Sequence, residues 1–171
     1  MKATLNVINQ MQADGIIGQY AIGGAIGATF YLEPVATFDI DIFIALKNIS
    51  DSPIISLEPV YSYLKARGCK SEKEHIIIED WQVQFLPTVD ALDEEALTQA
   101  VEANVDGVKT RVMTAEHLTA IAIRTGRPKD KVRVAQFFES GVLDEAKLNS
   151  ILKRHDLLAK WEQVKDKYLE G

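Results

Sequence analysis

Apolar residues recur along this chain with two different periods, and the changes of period outline its elements. Leu5, Ile8 and Met11 are three residues apart and predict a helix over 3–14 that ends near Gly15. A short apolar strand is predicted at 19–22. A short helix should follow from Ala25 to Leu32, stopped by Glu33-Pro34 because the residue before proline is pushed out of the helical region. The next strand runs to about Ala45. Its alternation sets Phe38, Ile40, Ile42 and Ile44 towards a core and Asp39 and Asp41 together on the opposite face.

Ser56 is placed to cap a helix carrying Leu57, Val60, Tyr61 and Leu64 on one side. Pro59 is tolerable there because it falls in the first turn, and Gly68 ends the helix. His75 to Ile78 and Trp81 to Leu86 predict two strands around Glu79-Asp80, a connection too short for a crossover, so they form an antiparallel hairpin and the sheet is mixed. Asp93 to Val101 reads as a short helix and Val108 to Met113 as an edge strand. From Thr114 the pattern is helical throughout. Thr114 caps a helix to about Thr125, Gly126 and Pro128 break it, a second helix runs to near Ser140, and two more follow around 144–153 and 157–168. The expected fold is α/β of the α+β kind: a mixed central sheet with flanking helices over 1–113, and a C-terminal helical segment, 114–171, packed on it.

The chemistry is concentrated between Tyr20 and Asp41. Gly23 and Gly24 directly follow an apolar strand and open a helix, so no side chain keeps a ligand's phosphates from the backbone N–H groups there. Asp39 and Asp41 display two carboxylates side by side on the next strand. Together the four residues suggest a nucleoside triphosphate held by a divalent metal. Magnesium takes one or two carboxylates plus phosphates and water, a requirement that Asp39 and Asp41 meet for one ion.

This order of Gly-Gly, short helix and Thr-x-Asp-x-Asp, here Gly23, Gly24, Gly27, Thr37, Asp39 and Asp41, resembles the minimal nucleotidyltransferase fold of the DNA polymerase beta-like superfamily. It is most similar to the bacterial branch that includes the enzyme component of abortive-infection, toxin–antitoxin-like systems. The resemblance implies transfer of a nucleotide from a nucleoside triphosphate to an RNA, protein or small-molecule acceptor, with Mg²⁺ (or Mn²⁺) on Asp39 and Asp41. It further implies that Gly23, Gly24 and Thr37 position the phosphates, and allows for a cognate protein partner. A second stretch, HLTAIAIRTGRPKDKVRVAQFF, resembles the family's basic segment and places Arg124, Arg127, Lys129 and Asp130 at its positions. Arg124 and Lys129 are the resulting candidates for triphosphate contact. The family's third catalytic carboxylate falls on WQVQFLP, where Gln84 stands instead. A glutamine can ligate through its carbonyl but cannot act as a general base. The resemblance therefore supports two readings, an active transferase and a catalytically impaired nucleotide-binding or protein-interaction module of the same fold.

Composition narrows the partners. With 25 acidic and 19 basic residues in 171, the net charge of −6 disfavours non-specific binding to DNA. The segment from Arg124 to Arg133 runs against that balance, with five basic residues and one acid, and is a candidate anion site or a run of solvated helix-end charges. No apolar stretch reaches the length of a membrane span, and the amphipathic N-terminus does not read as a secretory signal, so the expected compartment is the cytoplasm. Cys69 is the only cysteine, which excludes an internal disulfide and a cysteine-rich zinc site. His75, His117 and His155 lack metal-ligand spacing, and Trp81 and Trp161 read as packing residues. Gly-Gly without a downstream Gly-Lys-Ser/Thr excludes a P-loop, and Asp-x-Asp on the next strand argues against a dinucleotide site.

Overall fold

The structure is a computed structural model that describes residues 1–46 and 56–168. Helix α1 (Lys2–Ala13) leads into β1 (Tyr20–Ile22), α2 (Gly24–Ala28) and β2 (Asp39–Ile44). Then come α3 (Glu58–Ala66), β3 (Lys70–Glu72), β4 (His75–Ile78), β5 (Trp81–Pro87) and α4 (Ala91–Thr98), followed by β6 (Val101–Val105) and β7 (Val108–Val112). Helices α5 (Ala115–Thr125), α6 (Pro128–Ser140), α7 (Glu145–Arg154) and α8 (Leu158–Tyr168) close the chain. Among the described residues, seven strands form one sheet in the order β3-β4-β5-β2-β1-β7-β6. Strands β2 and β5 pair in parallel, as do β1 and β7, and the remaining neighbours are antiparallel. The sheet is mixed, as the short β4–β5 turn requires.

The alternation of β2 divides the sheet's two faces. Ile40, Ile42 and Ile44 are fully buried and pack with Leu5, Ile8 and Met11 of α1 and Val60 and Leu64 of α3. Each such side chain contributes about 1.5–3 kcal/mol of hydrophobic stabilisation when withdrawn from water. A hydrogen bond from Thr4 Oγ1 to the Ile78 carbonyl (3.1 Å) ties α1 to β4, and the Tyr20 hydroxyl joins Asn9 of α1 (2.7 Å) and Thr110 of β7 (3.0 Å). On the opposite face Ala21 and Phe43 pack with Met113, Leu118 and Phe137, so α5 and α6 lie on the side where Asp39 and Asp41 emerge. A further cluster centred on Ala120, Ile123, Ile151 and Leu152 joins α7 and α8 to α5. No described helix is long and apolar enough to cross a membrane.

Four expectations are corrected. Phe38 does not enter the core: it precedes β2 and is 80% exposed, because strand pairing begins only at Asp39. Helix α2 ends at Ala28 and continues as turns to Leu32, so the chain leaves the helix before Pro34 can stop it. Helix α4 ends at Thr98, and Val101 belongs instead to β6, which pairs with β7 across Asp106-Gly107. Both turn residues have positive φ (51° and 84°), the backbone of a tight Asp-Gly hairpin. Strand β7 is therefore interior, held between β1 and β6, and the edges are β6 and β3. Strand β3 gave no sequence signal because Lys70, Ser71 and Glu72 are all exposed and polar.

Candidate functional site

Two adjacent glycines fix the floor of the candidate site. The Gly23 N–H donates to the Asp41 carbonyl (2.9 Å), which extends the β1–β2 ladder up to the turn and holds the start of α2 beside Asp41. Gly24 has φ +57°, a left-handed conformation that disfavours any side chain. A Cβ there would lie 1.9 Å from Asp41 Oδ2, and a Cβ on Gly23 would lie 2.5 Å from the Phe43 ring. The Gly-Gly pair thus makes room for a carboxylate as much as for an incoming ligand. Since the Gly23 N–H is already engaged, the open donors at this turn are the first N–H groups of α2 itself.

Asp39 and Asp41 project from the same face of β2, and their environments separate them. Thr37 Oγ1 donates to Asp39 Oδ1 (2.7 Å), and this hydrogen bond is the main reason the Asp39 carboxyl is held below its ordinary pKa; nearby Lys129 and His75 act in the same sense. Asp41 moves the other way. Burial, then the neighbouring charge of Asp39, raise its pKa against the opposing pull of Lys129, Arg127 and Arg133. A partly buried carboxylate made costly by desolvation and by a second acid is one that a cation relieves. Among the described residues no group of three or more His, Cys, Asp or Glu could hold a metal ion. The pair nevertheless fits a magnesium ion that arrives with a triphosphate, which needs no more than one or two protein carboxylates.

Gln84 stands directly beside this pair. In the parallel β2–β5 ladder Asp41 is in register with Gln84 and Asp39 with Gln82. Gln82 is exposed, whereas Gln84 borders the same cavity as Asp41 and Gly24. That cavity, about 340 Å³, runs inward from Asp41 and is walled by Phe43, Leu86, Met113, Leu118 and Ile121. An outer cavity of about 500 Å³ opens on the other side of Asp41 and includes Thr37, Asp39 and Lys129. Asp41, Arg127 and Arg133 line both.

The basic segment divides into two groups. Arg124, at the end of α5, pairs with Asp90 and, at 2.9 Å, with Asp93 Oδ1, so its guanidinium fastens α5 to the start of α4 at the rim of the inner cavity. Asp90 also caps α4 by accepting from the Asp93 N–H (2.9 Å). Arg127, at the N-cap of α6, donates from Nε to Asp130 Oδ2 (2.7 Å), while Asp130 accepts from the Arg127 backbone N–H (3.3 Å). Asp130 is thereby a buried capping acid, with Arg133 Nη1 3.5 Å away. Lys129, Val132, Arg133 and Gln136 follow at helical spacing and line the outer cavity as one stripe of α6. The structure therefore brings Gly24, Thr37, Asp39, Asp41, Gln84 and Lys129 together and adds Arg127 and Arg133. It holds Arg124 on acids of its own. The i,i+4 spacing of Lys129 and Arg133 was the sequence signal for the second arginine. Glu79 and Asp80, which form the exposed β4–β5 turn, line neither cavity.

No family model and no curated protein matches the chain. Its architecture does match solved structures. The solution structure of the antibiotic-resistance factor ANT(2'')-Ia aligns with a TM-score of 0.55 and 13% identity over 99% of this chain and 98% of that one. A crystal structure of ANT(2'')-Ia in complex with adenylyl-2''-tobramycin gives 0.54 and 14%, covering 92% and 98%. An antigenic nucleotidyltransferase-like protein from Paracoccidioides brasiliensis gives 0.54 and 15%, covering 94% and 93%. At these identities the likeness is one of fold, and the seven-stranded mixed sheet with its C-terminal helices is nucleotidyltransferase-like.

Proposed function

We propose that this protein binds a nucleoside triphosphate with Mg²⁺ and transfers its nucleotide to an RNA, protein or small-molecule acceptor, as a minimal transferase of the bacterial, abortive-infection-like kind. The observation that carries this reading is the Gly24–Asp41 fit: a left-handed glycine whose missing Cβ leaves space for the oxygen of a partly buried, acid-paired carboxylate. Fold alone would not carry it. Asp39 and Asp41 would hold the ion, which in such reactions polarises the phosphoryl oxygens. The first N–H groups of α2, together with Arg127, Lys129 and Arg133, neutralise the phosphates, and Thr37 orients Asp39. In the transfer itself an acceptor hydroxyl oxygen attacks the α-phosphorus, its proton passes to water, the bond to the β-phosphate breaks and pyrophosphate leaves. The helical segment from Thr114 onward supplies the wall over the sheet.

A second reading is favoured by one observation. Gln84 is in register with Asp41, where the resembling family carries its third acid, and an amide cannot take the acceptor's proton. Asp93 and Asp130, the other acids on the inner cavity, are engaged by Arg124 and by Arg127 and Arg133. On that reading the protein binds nucleotide without turning it over.

Thermal unfolding with each nucleoside triphosphate, with and without Mg²⁺, tests both readings. A ligand at one hundred times its dissociation constant stabilises the folded state by about 2.7 kcal/mol. A Mg²⁺-dependent shift that disappears in the Asp39→Ala, Asp41→Ala double variant supports the site, and labelled-nucleotide transfer then separates enzyme from binding module. Retention of the shift in the double variant removes the assignment.

A further inference from the structure

Six large hydrophobic side chains are exposed among the described residues: Val35, Phe38, Val89, Val101, Val132 and Val142. Val35, Phe38 and Val132 line the outer cavity, and Val89 lines the inner one. Phe38 is the most exposed, at 80%, and immediately precedes Asp39. Such a ring left in water forfeits much of the stabilisation that its burial would provide. Its neighbours across the same cavity are of the opposite chemistry: Arg127, Lys129 and Arg133 beside Asp39 and Asp41. The cavity therefore combines charged groups suited to a metal-bound polyanion with apolar ones that include an exposed aromatic ring.

The ligand class that matches both kinds of lining is one carrying a polyphosphate and a planar, weakly polar ring system. We propose that Phe38 is the stacking platform for the base of the nucleoside triphosphate, with Val35 and Val132 closing its edges. This inference rests on the nucleotide reading above and adds to it the element that engages the base. Every base presents a π face, so stacking on Phe38 contributes affinity with little discrimination. The Gln136 amide, on the same wall and carrying both a donor and an acceptor, is the group placed to read the base edge.

The test compares Mg²⁺-nucleoside triphosphate with Mg²⁺-tripolyphosphate, which offers the phosphates without the base, by calorimetric titration of the unchanged protein, Phe38→Ala and Phe38→Trp. The expected result is that Phe38→Ala loses about 5- to 150-fold in triphosphate affinity, the range for one base stacked on an aromatic ring. Its tripolyphosphate affinity should stay within twofold of the unchanged protein, and Phe38→Trp should retain the nucleotide. Equal loss for both probes, or no loss for either, overturns the stacking role. If Phe38→Ala weakens only a single-stranded oligonucleotide, the base belongs to an acceptor and the donor assignment is overturned. Absence of Mg²⁺-dependent binding of either probe to the unchanged protein overturns the nucleotide reading itself, an outcome distinct from failure of the Phe38 assignment.

Discussion

Asp41 on β2 and Gln84 on β5 occupy matched positions of a parallel ladder, so the two side chains emerge from neighbouring strands onto one cavity, one ionisable and one not. A carboxylate at 84 would stand beside two others. In Gln84→Asp, like-charge repulsion should lower ligand-free stability by about 1 kcal/mol at pH 7. It should also increase the stabilisation gained on adding Mg²⁺ relative to the unchanged protein. Thermal unfolding with and without Mg²⁺ measures both, and equal metal responses in the two proteins would show that position 84 does not face the ion.

Asp41 has a raised pKa in the folded state, so its ionisation opposes folding: the stability linked to its protonated form is present below the ordinary carboxylate range and is lost as pH rises through the folded value. Asp41→Asn should therefore stabilise the ligand-free protein at neutral pH, by about 0.5–2 kcal/mol, while abolishing Mg²⁺-dependent triphosphate binding. Urea unfolding paired with titration checks the trade. A less stable Asn variant would remove the argument that Asp41 is kept for a ligand.

Arginine variants should separate by role. Arg124→Gln leaves Asp93 buried without its cation and should cost about 1–3 kcal/mol of stability, with triphosphate affinity changed only a few-fold. Arg133→Gln and Lys129→Gln should do the reverse, with small stability changes and about a tenfold or greater loss of affinity for a charge-assisted phosphate contact. If Arg124→Gln is instead the binding-defective variant, its ion pairs with Asp90 and Asp93 open when nucleotide binds.

Glu95 accepts from Arg154 Nη2 (2.6 Å) and lies 2.7 Å from His155 Nε2 and 3.1 Å from His117 Nε2, linking α4 to α5, α7 and the turn after α7. The Arg154 hydrogen bond, followed by those of the two histidines, lowers its pKa from 4.5 to about 2. This stability is present above pH 4.5 and is lost as pH falls towards 2. Allowing for solvent screening at this partly open position, Glu95→Gln should cost about 1–2 kcal/mol at pH 7. The difference should vanish near pH 2. Burial also lowers the His117 pKa, which makes its protonation a further cost as pH falls below the ordinary histidine range. Stability curves between pH 2 and 8 for the two proteins would show the convergence, and parallel curves would exclude Glu95 as the source.

Gly24→Ala combines a left-handed backbone with a collision at Asp41 Oδ2, and should cost about 1–3 kcal/mol and displace the carboxylate. Denaturant unfolding and Mg²⁺-triphosphate titration should both report it. Unchanged binding would mean that Asp41 tolerates the shift.

Much of this protein was decided locally and could be read from its residues in order. The alternation from Asp39 to Ile44 placed two carboxylates on one face and three isoleucines in the core, because a strand's side chains obey a period of two wherever the strand lies. Thr114, Gly126, Pro128 and Gly141 set the bounds of α5 and α6, because caps and breaks depend on neighbours within a turn. Strand β6 was also encoded nearby, in Val101, Ala103 and Val105 at a period of two and in Asp106-Gly107, but it begins only three residues after α4 ends, so its first residue reads as a continuation of that helix. Tertiary structure alone decided which charge meets which. Arg124 and Arg133 are alike as sequence, yet Arg124 reaches the acids of α4, 31 and 34 residues away, whereas Arg133 turns into the cavity beside Asp41. Phe38 lies one residue from a strand whose pattern assigns it to the core, and it stays in solvent because pairing with β5 starts at Asp39. Periodicity specifies the face a side chain takes within its own element; what stands opposite that face depends on how distant elements pack.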